Sequence, residues 1–252
     1  MEHKLKHGGF FLIILVLVLI AVNYSFFDEK IENLLINYET GFVERVIDGD
    51  TIVINGSSYR LLGINTPEKG EKYYLEAKQF LESRVLNQTV KLFYTEQRKD
   101  RYSRDLVYVF FGSNNINAEI VEAGFANTYY PSKKDSYYPK LYAAWQSCLD
   151  SNINLCEKSL DSCNGCIELS EFNNKEDFVI LENTCSFSCD LTKWSIKDEG
   201  RKKFIFGQIV LEPLEKVTIT AQDFNEDYVW TSSGDTLFLR DDEGRLVVWS
   251  SY

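Results

Sequence analysis

Two tight glycine turns, Asp48-Gly49 and Asn55-Gly56, with only the β-branched stretch Thr51-Ile-Val-Ile54 between them, constrain this chain more than any other feature. Asn-Gly supplies the positive φ angles of a two-residue hairpin, so residues 42–47, 51–54 and 58–64 are expected to form a three-stranded meander. Residues 66–70 then read as a loop. Residues 73–86 carry Tyr74, Ala77, Leu81 and Val85 on one helical face. Strands are expected at 90–95 and 105–111, and helices at 117–123 and 140–149. Five strands with a helix between the third and fourth is the order of an OB-fold barrel, a fold that commonly presents one face to nucleic acid.

Beyond Cys166 the helical periodicity stops. Short strands are expected at 178–182, 194–196, 204–206, 216–219, 228–230, 236–239 and 246–249, with turns such as Asp198-Glu199-Gly200 between them. That spacing suggests a β-sandwich. The fold class is therefore mainly β with α. The divisions are 1–27 for an N-terminal targeting segment, 28–40 for a linker, 41–160 for the barrel with its helices, and 161–252 for the sandwich.

With 44% apolar residues the chain has enough material for one large core or two modest ones. The net charge of −11 taken whole argues against an anionic partner, but it is unevenly spread. Residues 41–160 hold 15 Lys and Arg against 15 Asp and Glu, whereas residues 161–252 hold 9 against 18. Any nucleic-acid site belongs to the barrel, because binding phosphates requires cations.

At the N-terminus Lys4 and Lys6 precede an apolar run at 10–22, which Tyr24, Phe26 and Phe27 extend weakly. A basic flank before an apolar stretch marks an export signal, and no small-x-small cleavage site follows it convincingly. The reading is an uncleaved transmembrane signal anchor with the rest of the chain outside the cytoplasm, or a secreted protein if the segment is cleaved. A buried core helix is the remaining alternative. Six cysteines, Cys148, Cys156, Cys163, Cys166, Cys185 and Cys189, suit an oxidising compartment and disulfides. A four-thiolate zinc site is the competing reading, and the sequence leaves the pairing open.

Three clusters carry chemistry. Asp48-Gly49-Asp50-Thr51 brings two carboxylates together at a turn, as a hard cation requires. Taken alone it is an ordinary acidic turn; Gly234-Asp235-Thr236 recurs without companions. Arg60 runs into Asn65-Thr66-Pro67-Glu68, placing a phosphate-binding fork near an amide and a carboxylate. The basic run Arg98-Lys-Asp100-Arg101-Tyr-Ser-Arg104 leads into a strand.

In this order, on these elements, the clusters over 41–159 resemble the staphylococcal nuclease (thermonuclease) family. The resemblance implies a hydrolase, an endonuclease-like enzyme using one Ca²⁺ ion on DNA or RNA. It implies Asp50 and the Thr66 carbonyl as metal ligands, with Asn65 where the archetype has a second aspartate. It further implies Glu68 as the group that positions or deprotonates water, Arg60 and Arg104 on the phosphate, and Asp48 behind the metal ligands. Arg101 and Tyr129 or Tyr130 are implied as substrate contacts. No leaving-group acid stands out. The segments 178–183, 189–198 and 234–241 resemble the lamin-tail domains, immunoglobulin-like sandwiches that imply a protein partner and no chemistry. Two rival functions remain: a catalytically silent nuclease-like module that binds nucleic acid or protein at the membrane, and a scaffold whose working part is the sandwich.

Overall fold

The computed structural model describes residues 15, 18, 19, 38–130 and 133–252. Leu15, Val18 and Leu19 are helical and exposed. The rest of the expected anchor and most of the linker lie outside the described residues. Among the described residues no helix is long and apolar enough to cross a membrane.

The barrel strands are β1 (Glu39–Asp48), β2 (Thr51–Ile54), β3 (Ser57–Leu61), β4 (Ile64–Asn65), β5 (Thr89–Phe93), β6 (Asp105–Phe111), β7 (Asn114–Asn115) and β8 (Asn127–Thr128). Three helices accompany them, α1 (Tyr74–Val85), α2 (Ile116–Glu122) and α3 (Tyr138–Ser151). The sheet runs β3-β2-β1-β5-β6-β7, and a β3–β6 pairing closes β1, β2, β3, β5 and β6 into a five-stranded barrel. Closure removes the sheet edges. Helix α1 buries Ala77, Leu81 and Val85 of its expected apolar face, while Tyr74 is only half-buried.

The sandwich strands are β9 (Ile167–Asn173), β10 (Phe178–Asn183), β11 (Cys189–Asp190), β12 (Ser195–Lys197), β13 (Lys203–Ile205), β14 (Val210–Leu211), β15 (Lys216–Thr220), β16 (Thr236–Arg240) and β17 (Leu246–Ser251). They form the sheets β15-β10-β9 and β13-β12-β16-β17 and a separate β11–β14 pair. Two expectations fail here. Residues 228–230 are not a strand. The amides of Val229 and Trp230 donate to the Asp177 carboxylate instead, which satisfies the backbone without a ladder. Conversely, β9 was not expected. Ile167 and Leu169 alternate with Glu168 and Ser170, a bulge at Ser170 breaks the period before Phe172, and pairing with β10 makes it a strand.

All six cysteines are paired, as Cys148–Cys156, Cys163–Cys189 and Cys166–Cys185, which rules out the four-thiolate zinc reading. The first pair fastens the end of α3 to the following turn. The other two tie the start of the sandwich to the segment before β12. Barrel and sandwich are not independent bodies. Phe238 and Leu246 of the sandwich belong to the barrel's apolar cluster, and the Phe238 ring stands edge-on to Trp145 of α3 at 5.5 Å. Residues 40–252 form one compact unit.

Candidate active site

Barrel topology gathers residues that are distant in sequence. In β3, Arg60 is paired with Thr51 of β2 on one side and with Leu106 of β6 on the other. Arg104 sits in the loop just before β6, two residues ahead of Leu106, and lines the same cleft as Arg60. The β4–β8 pairing sets Asn65 opposite Asn127, and the Tyr129 amide donates to the Gly63 carbonyl at 2.9 Å.

The β1–β2 turn is held where it is by the absence of a side chain. A Cβ at Gly49 would stand 2.8 Å from the Ala77 Cβ and 2.9 Å from Thr66. Glycine thus lets the Asp48–Asp50 turn pack directly on α1 and on the Thr66 loop. Register shifts in β1 just before the turn re-aim its side chains, as bulges beside active sites do.

The centre is dry. Asp50, Arg60 and Asn65 are 4%, 6% and 1% exposed. Arg60 Nη1 is ion-paired with Asp50 Oδ1, while its Nη2 donates to the Asn65 Oδ1 and to the Ile64 carbonyl, both at 3.2 Å. The other Asp50 oxygen accepts from the Thr66 amide and hydroxyl at 3.3 Å. Burial opposes the Arg60 cation, but the charges of Asp50 and Asp48 outweigh it and raise its pKa above the usual value. Desolvation, with the charge of Asp50 added, pushes Asp48 up. Two carboxylates so close share one cation, and a second cation would relieve them.

Arg104 is half-buried and held by Asp100, whose carboxylate accepts from the Arg104 Nε at 2.7 Å and from its amide at 2.9 Å. These bonds outweigh desolvation and lower the Asp100 pKa. Arg60, Asn65, Arg101, Arg104 and Tyr129 line one cleft of about 500 Å³. Asp50 and Glu68 stand behind it: Asp50 reaches it through Arg60, and Glu68 through an ion pair with Arg201, a lining residue from the sandwich. Of the two tyrosines, Tyr129 is half-buried on the cleft. Tyr130 is in the core, its hydroxyl 3.0 Å from that of Tyr108.

As donors for a cation the chain offers one carboxylate, the Asn65 amide oxygen and the Thr66 carbonyl, with Asp48 behind. Among the described residues no group of three His, Cys, Asp or Glu comes together around a metal. All the donors are oxygens, which suits a hard divalent ion, and the remaining positions would fall to water and a substrate phosphate.

Sequence reasoning missed the far wall of the cleft. Hairpin β12–β13 carries a turn at 198–202 that faces Arg60 and Tyr129, and the Asn65 Nδ2 donates to the Gly200 carbonyl at 2.8 Å. Asp198-Glu199-Gly200 was legible as a turn, but nothing local says which surface it meets.

A staphylococcal nuclease homologue model matches residues 58–156, and a lamin tail domain model matches residues 161–252. The Asp48–Asp50 turn lies just before the first match. The thermonuclease of Staphylococcus intermedius is 32% identical over 130 residues, covering 48% of this chain and 77% of the relative. The thermonuclease of Staphylococcus hyicus is 37% identical over 110 residues, covering 39% and 65%. An uncharacterized endonuclease of Haemophilus influenzae is 33% identical over 101 residues, covering 38% and 56%. With the closed barrel and these matches in hand, the chain belongs to the staphylococcal nuclease family and carries a lamin tail domain after its nuclease-type domain.

Proposed function

We propose that this protein is a calcium-dependent nuclease that hydrolyses phosphodiester bonds of DNA or RNA outside the cytoplasm, held at the membrane by its N-terminal segment. The observation that carries the reading is the convergence of Arg60, Arg104 and Asn65 on one cleft, with Asp50 and Glu68 one contact behind it. Three disulfides fit an oxidising compartment, and the basic flank before the 10–22 run fits an export signal.

In this reading Asp50, the Asn65 amide oxygen and the Thr66 carbonyl would hold a calcium ion, which when bound would supply positive charge against the phosphate. Arg60 is preorganised: its guanidinium is fixed by Asp50, Asn65 and the Ile64 carbonyl, so little reorganisation accompanies charge build-up on the phosphoryl oxygens. Arg104, oriented by Asp100, acts from the loop just before β6 on the same charge. Glu68 takes the proton of the attacking water as the water oxygen bonds to phosphorus. The opposite P–O bond breaks, and the leaving oxygen takes its proton from solvent.

The reading is tested by incubating the purified full chain with matched single-stranded DNA and RNA in calcium, magnesium and chelator. Cleavage in calcium that the chelator abolishes supports it. Binding without cleavage in every condition favours the silent module.

A further inference from the structure

We propose that the 198–202 turn of the lamin tail domain is the second wall of the nuclease cleft, with Arg201 on it a phosphate-binding residue of the active site. The inference rests on the nuclease reading above. It assigns part of the site to a domain outside the nuclease family match, which ends at residue 156.

The turn is docked by specific bonds rather than by general packing. The Gly200 carbonyl accepts from Asn65, and the Glu199 carbonyl accepts from the Asn127 side chain at 2.8 Å. The Glu199 carboxylate accepts from the Tyr130 amide at 2.8 Å. Lys197 Nζ donates to Glu71 at 2.9 Å, and Lys203 lies 3.8 Å from the same carboxylate. A Cβ at Gly200 would stand 3.2 Å from the Tyr129 ring, so glycine lets this backbone close on the cleft.

Charge points the same way. The sandwich region holds only 9 basic residues against 18 acidic ones, yet Lys197, Arg201, Lys202 and Lys203 are together on this hairpin. Lys197 and Lys203 are committed to Glu71, and Lys202 to the Tyr228 carbonyl and ring. Arg201 pairs with Glu68, and both side chains are nearly half exposed. An ion pair that exposed is weakened by solvent screening, so a phosphate entering beside Arg60 exchanges with it readily. The guanidinium fork suits a phosphate, and the exchange frees the Glu68 carboxylate for water.

The test compares full-chain wild type, Arg201→Ala, Arg201→Lys and the remote control Lys175→Ala on a labelled single-stranded oligonucleotide. Cleavage is followed in calcium, and binding is followed separately in chelator across a salt series. We expect Arg201→Ala to raise both KM and Kd about tenfold, as loss of one charge-assisted contact does. It should also lower the slope of log Kd against log salt by about 0.7, the value for one phosphate contact on a single strand. Arg201→Lys should restore the slope and part of the affinity, and Lys175→Ala should match wild type. Wild-type KM, Kd and salt slope in Arg201→Ala would overturn the assignment. Absence of cleavage by wild type itself would instead overturn the nuclease reading, while the binding series still decides the role of Arg201.

Discussion

The side-chain amide of Asn65 spans two domains: its oxygen accepts from Arg60 at 3.2 Å and its nitrogen donates to the Gly200 carbonyl at 2.8 Å. Only an amide does both. A carboxylate here would add an anion for calcium but would turn an oxygen toward a carbonyl oxygen. Asn65→Asp is therefore expected to lower stability in chelator by about 1–3 kcal/mol, the cost of a buried group losing its partner. It should also lower the calcium concentration for half-maximal activity. Thermal melts with and without calcium check this, and the loss in melting temperature should shrink when calcium is added.

Two carboxylates of the 198–202 turn predict a pH dependence. Desolvation, with the charge of Asp235 added, raises Asp198 to about 7 and Glu199 to about 8. Both groups bind protons more tightly folded than unfolded, so their contribution is full below about pH 4 and is lost as pH rises through 7–8. Stability should fall by about 2 kcal/mol or more between pH 6 and pH 9. Glu199→Gln keeps an acceptor for the Tyr130 amide and should flatten that fall. A wild-type melting temperature unchanged from pH 6 to 9 contradicts the burial argument.

Gly49→Ala tests how the Asp48–Asp50 turn is held. The added Cβ meets Ala77 and Thr66 at under 3 Å, so the turn must move away from α1. Overpacking of this kind costs about 1–3 kcal/mol. Because Asp50 moves with the turn, the calcium requirement should rise as the melting temperature falls. Ala77→Gly in the same chain should recover part of both.

The cysteines give a simpler prediction. With three disulfides and no free thiol among the described residues, no cysteine should be alkylated without reductant in the native or the denatured chain. Reducing them should lower stability by about 2–5 kcal/mol per bridge.

Much of the barrel was legible in the sequence because its signals are local. Asn55-Gly56 sets a hairpin, Ala77, Leu81 and Val85 set a helix face, and Arg60 to Glu68 is a contiguous motif. The sandwich was less legible. Residues 228–230 look like a strand, yet Asp177 takes their amides; β9 looks half polar, yet pairing makes it a strand. What no local pattern carries is the docking of one domain on the other. Asn65 reads as a metal ligand until Gly200 appears beside it, and nothing local singles out Arg201, which only its pairing with Glu68 brings to the cleft. Arg60 was legible as a phosphate ligand, but not its buried pairing with Asp50. Arg60→Ala is therefore expected to cost stability as well as turnover, about 3–5 kcal/mol, by leaving that carboxylate buried and unpaired.

Glu68 gives the cleaner probe of chemistry, since it is nearly half exposed and its loss leaves the core untouched. The decisive measurement is the single-turnover cleavage rate of a single-stranded oligonucleotide by full-chain wild type and Glu68→Gln, in calcium and in chelator. We predict calcium-dependent cleavage by wild type, and a rate at least about 100-fold lower in Glu68→Gln, the usual loss on removing a general base. Oligonucleotide binding and melting temperature should be retained. A Glu68→Gln rate equal to wild type, or wild-type cleavage that persists in chelator, contradicts the account.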